Sequence, residues 1–144
     1  METDELKAVT DAEGVTCKGD AWMSELRVVR GQVERSVVAL RIVLERLERD
    51  AEDGDLFHAA EQVVDDLMEG ILETVEPSSF IRRAARLEKE ISEAELEDDD
   101  EWYPPKEVQQ RMRVLADGLR AHAELLKRLG ELEKRLKAWV SPTR

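Results

Sequence analysis

Residues 22–49, WMSELRVVRGQVERSVVALRIVLERLER, decide the fold. Apolar side chains fall at Leu26, Val29, Val33, Val37, Leu40, Leu44 and Leu47, in steps of three or four. That spacing keeps them on one face of an α-helix. A second set, Val28, Val38, Ile42 and Val43, widens the apolar face in the middle of the stretch. The expectation is a helix apolar around most of its circumference, with neighbours on several sides. At 1.5 Å per residue the stretch spans roughly 40 Å, long enough to be the axis of a bundle.

Working outward, the N-terminal side (residues 1–20) mixes charge with Gly14 and Gly19 and shows little periodicity. It reads as a flexible arm ahead of a helical domain over residues 21–144. The first helix is expected from about Asp20, an acceptable N-cap, to a stop at Gly54. A second helix is expected over Asp55–Val75, with Leu56, Phe57, Val63, Val64, Leu67, Met68, Ile71, Leu72 and Val75 on its apolar side. Pro77 then ends it, and Ser78 or Ser79 caps a third helix running to Leu96. In that helix Phe80, Ala84, Leu87, Ile91 and Ala94 keep heptad spacing. After Trp102-Tyr103-Pro104-Pro105, a fourth helix opens near Pro105 and runs to about Trp139. Its main stripe is Val108, Met112, Leu115, Leu119, Leu126, Leu129 and Leu136, flanked by Leu125, Leu132 and Trp139, with His122 and Glu133 on the seam. The pattern predicts an all-α bundle of about four helices with coiled-coil-like packing and long first and last helices. The overhang of those two predicts a homodimer that covers their apolar stripes.

Composition agrees with this class. Of 144 residues, 39% are charged and only 4% aromatic, as in bundles and coiled coils. The net charge of −12 argues against direct nucleic-acid binding and against an anionic membrane surface, both of which need excess Lys and Arg. The single Cys17 excludes an internal disulfide and suits a reducing compartment. The acidic N-terminus has no apolar signal core, and the Val37–Leu44 run is too short to cross a bilayer. The expected location is cytoplasmic.

Charge is unevenly distributed. Residues 51–77 contain no Lys or Arg, and the polar side of the second helix carries Glu61, Asp65, Asp66, Glu69 and Glu73. Residues 93–101, EAELEDDDE, hold seven carboxylates: Glu93, Glu95, Glu97, Asp98, Asp99, Asp100 and Glu101. A dense acidic row can imitate nucleic-acid phosphates and occupy a basic groove on a protein partner, with Trp102 and Tyr103 as aromatic anchors. The pattern resembles that of small acidic inhibitors encoded by phages, which implies a non-enzymatic adaptor or inhibitor. The competing reading is a solvated loop. The basic start of the third helix, Arg82, Arg83, Arg86 and Lys89, is expected to face the acids of the second helix.

Catalytic and cofactor motifs are missing: the sequence has no Gly-rich phosphate loop, Cys pair or nucleophile elbow. His58, Glu61 and Asp65 share one helix face, but di-iron bundles use paired Glu-x-x-His motifs in the opposite order. His122 on the fourth helix resembles the histidine of small helical histidine-phosphotransfer bundles, but those place Lys three residues on and then Gly, and here Leu125 and Leu126 stand at those positions. It reads instead as a seam histidine that fixes register. The alternative enzyme reading is a Mg²⁺-dependent hydrolase. Glu73-Thr-Val-Glu76, Glu90-Ile-Ser-Glu93 and Glu97-Asp-Asp-Asp100 are similar to the short acidic motifs of all-α nucleotide pyrophosphohydrolases. A third alternative is an oligomeric scaffold. No catalytic residue, metal site or cofactor is assigned.

Overall fold

The computed structural model describes residues 2–96 and 104–140, with side chains described over 20–94 and 104–139. The helices are α1 (Glu2–Glu52), α2 (His58–Met68), α3 (Pro77–Leu96) and α4 (Lys106–Val140), with a 3₁₀ turn at Ile71–Glu73. No strand occurs among the described residues. The all-α bundle with long first and last helices is what the sequence predicted. The chain divides into two compact units, one from Met1–Gln32 and Lys127–Arg144, the other from Val33–Leu126.

The larger unit contains a four-helix core. Leu40, Leu44 and Leu47 of α1 meet Ala60, Val63, Val64 and Leu67 of α2, Phe80, Ala84, Leu87 and Ile91 of α3, and Val108, Met112, Leu115 and Leu119 of α4. Each helix contributes residues three or four apart, so each buries one stripe and leaves the other side to charge. Val33, Val37 and Val43 are half-buried against this core. Gly118 of α4 makes room for Leu40, because a Cβ there would lie 2.8 Å from Leu40 Cδ2. A bidentate pair joins α1 to α4: Arg111 donates from Nε to Asp50 Oδ2 at 2.8 Å and from Nη2 to Oδ1 at 2.7 Å.

In the smaller unit α1 and α4 pair as well. Leu26, Val29, Leu132 and Leu136 are buried there. Trp22 and Trp139 meet edge to face with centroids 6.5 Å apart. Arg128 pairs with Glu25, and Arg30 with Glu133 at 3.4 Å.

Several expectations are corrected. Helix α1 begins at Glu2 and not near Asp20. Residues 2–20 contain no proline, and Gly14 and Gly19 each cost a helix about 1 kcal/mol without forbidding it. Val28, Val38 and Ile42 are not buried: they are 58%, 59% and 60% exposed. Val38 and Ile42 lie two residues either side of Leu40, about half a helical turn from the buried stripe. Helix α2 is shorter than Asp55–Val75, because the chain turns at Gly70 with φ 116°, and Val75 is 72% exposed. Glu133 stands exposed beside Arg30 and not on a buried seam.

The helix ends follow local chemistry. Gly54, at φ 78°, stops α1 as expected: Gly54 N–H donates to Ala51 O at 3.0 Å and Asp55 N–H to Asp50 O at 2.8 Å. Those two bonds form a Schellman motif. Pro77 opens α3 in place of ending its predecessor, since the first helical position needs no N–H. Ser79 lies inside that first turn, where its Oγ accepts from Arg83 Nη1 and so does not act as the cap. Pro105 precedes α4, and its carbonyl accepts the Gln109 N–H at 2.9 Å.

Candidate acidic contact surface

Helix α2 sorts its residues by face. Ala60, Val63, Val64 and Leu67 are buried, while Asp65, Asp66 and Glu69 are exposed and Glu61 is half-buried. The side chains are sorted by the 3.6-residue repeat, which puts 61, 65 and 69 in one row. Glu73 does not extend that row. It is exposed on the 3₁₀ turn beyond Gly70, where the helical repeat has been broken.

The basic start of α3 meets part of this face. Arg83 Nη2 reaches Asp66 Oδ2 at 3.4 Å, and Arg86 Nη2 donates to Gln62 Oε1 at 2.8 Å. Arg82 and Lys89 are exposed. Asp65, Glu69 and Glu73 have no ion pair among the described residues. The half-buried Arg83 offsets the charge of Asp66 alone, so the face keeps most of its negative character.

The second proposed surface is only partly described. Glu93 is exposed on α3. Glu95 lies in the same helix, and its side chain is outside the described residues. Glu97, Asp98, Asp99, Asp100, Glu101, Trp102 and Tyr103 also lie outside the described residues.

Metal chemistry gains no geometry. His58, with its side chain 85% exposed, stands 3.8 Å from Glu61 through Nδ1. No group of three His, Cys, Asp or Glu side chains is arranged to hold a metal among the described residues. Of the acidic motifs, Glu73 ends the 3₁₀ turn and Glu76 lies in the segment just before α3, so the two do not share a helix. Glu90 and Glu93 share α3, where burial first, and the Glu93 charge second, push the Glu90 carboxyl above its usual range. Glu97 and Asp100 lie outside the described residues.

Sequence reasoning missed the polar groups that only tertiary structure brings together. Arg120 of α4 is hydrogen-bonded to Glu88 of α3 and holds that carboxyl below its usual range. An open groove of about 360 Å³ between these helices is lined by Glu88, Ile91, Ser92, Arg113, Ala116 and Asp117. Arg111–Asp50 joins residues 61 positions apart. No spacing rule links such positions, and no signal in one sequence would have found them. Compared with protein-family profiles, curated proteins and solved structures, the chain matches none.

Proposed function

We propose that this chain is a non-enzymatic interaction module, a small acidic adaptor or inhibitor that occupies a basic surface on a protein partner. The observation that carries this reading is the exposed acid row of α2, Asp65 and Glu69 with Glu61 beside them, in a segment without a single Lys or Arg. The apolar side of the same helix is buried, so what α2 offers outward is charge. Electrostatic complementarity of this kind speeds encounter and selects partners more than it adds affinity. The acid block at 93–101, with Trp102 and Tyr103, is the second part of the proposed surface, and its composition supports imitation of a phosphate backbone.

Capture from nuclease-treated cell extract tests this. The expected partner is a nucleic-acid-handling protein that elutes as salt rises and is displaced by added duplex DNA, since charges on a common groove compete. Retention of the partner against both salt and DNA would overturn the mimic reading. A homodimer belongs to the same proposal, with the Val38–Ile42 row of α1 as apolar surface left for a second copy.

A further inference from the structure

His122 of α4 is wholly buried in the larger unit. Its Nδ1 is 2.9 Å from Ser36 Oγ of α1, and its ring stands perpendicular to that of Phe80 of α3 with centroids 4.9 Å apart. Its Nε2 is buried without a hydrogen-bond partner. A neutral imidazole tolerates this seat, because one nitrogen is satisfied by Ser36. An imidazolium does not, because both nitrogens then carry protons and a buried charge needs a partner.

We propose that His122 is an acid-operated latch at the end of the larger unit where the chain enters at Val33 and leaves at Leu126. Protonation of the ring drives this part of α4 out of its seat between Ser36 and Phe80, because the Nε2 N–H of the imidazolium is left buried without a partner. Neither of those neighbours carries a negative charge to balance it. Along the same elements, Glu34 and Arg35 of α1 and Glu124 of α4 are exposed, and Arg83 of α3 is engaged by Ser79 and Asp66. Burial lowers the His122 pKa from its ordinary value. The latched state therefore refuses a proton that the opened state accepts. As pH falls below about 6.5, the opening equilibrium rises by up to about tenfold per pH unit, until the latched state itself protonates. Glu90 acts with the opposite sign, since its raised pKa favours the folded state on acidification. The latch goes beyond the proposed contact surface and does not depend on it.

Native-state hydrogen exchange on the intact protein at pH 7.5 and 5.5, corrected for intrinsic rates, tests the latch. Amides flanking Ser36 and His122 are expected to lose up to about tenfold of their protection, while those of Val63–Leu67 in α2 keep theirs. His122→Gln, which cannot titrate, removes the local loss, and His58→Gln leaves it unchanged. The proposal is overturned if protection near Ser36 and His122 is the same at both pH values, falls equally throughout the unit, or falls as much in His122→Gln. Should His122→Gln fail to fold, the site-resolved comparison in the wild-type and His58→Gln proteins decides.

Discussion

Two glycines in the middle of α4 face opposite demands. Gly118 sits where a Cβ would come within 2.8 Å of Leu40, whereas a Cβ at Gly130 would meet nothing within 4 Å. Overfilling a packed core costs about 1–3 kcal/mol, while replacing an exposed helical glycine by alanine gains about 0.5–1 kcal/mol. Gly118→Val is therefore expected to lower the denaturation midpoint and Gly130→Ala to raise it. Equal shifts in both would refute the close approach at Leu40. The sequence shows both glycines inside one helical pattern and gives no means of telling them apart, because the difference is made by Leu40 of another helix. The Ser36–His122 bond is legible only in part for the same reason. His122 could be placed on the seam from its spacing, but not its partner.

Local stop chemistry sets the length of elements more strictly than apolar periodicity does. Gly54 was readable as a helix stop because an aspartate-glycine pair follows the last apolar residue of α1. Gly70 was not, because Ile71 and Leu72 continue the spacing of Leu67 and Met68 and disguise the turn. The backbone at Gly70 has φ 116°, a region that side chains with a Cβ rarely enter. Gly70→Ala is expected to destabilise by about 1–2 kcal/mol despite open space around it, and chemical denaturation reads this directly. An unchanged or raised stability would mean that the chain can continue α2 through this point, as the periodicity alone suggests. The outward Val38 and Ile42 teach a related lesson. They are apolar residues on a helix, yet their position relative to Leu40 and Leu44 sets their exposure, and hydrophobicity alone does not.

At the scale of the whole molecule, the stripes of all four helices were legible, since burial follows the 3.6-residue repeat from Leu26 to Leu136. The division into two units was not, because the same α1–α4 spacing runs through both. The proposed homodimer predicts a light-scattering mass of twice the 16.5 kDa chain, and a mass of one chain across the working concentrations would remove it. The stripe residues Leu26, Val29, Leu132 and Leu136 are already buried within one unit, so any dimer must use other surface. The acidic character is the other whole-molecule property, and it underlies the functional proposal. The most direct test repeats the capture with three proteins side by side: wild type, a variant carrying Asp65→Asn, Glu69→Gln and Glu73→Gln, and a variant with residues 97–101 neutralised. The account predicts that at least one variant loses the salt-sensitive partner while remaining folded. Recovery of the same partner at the same salt by all three would contradict it, and would leave the acids as solvated surface.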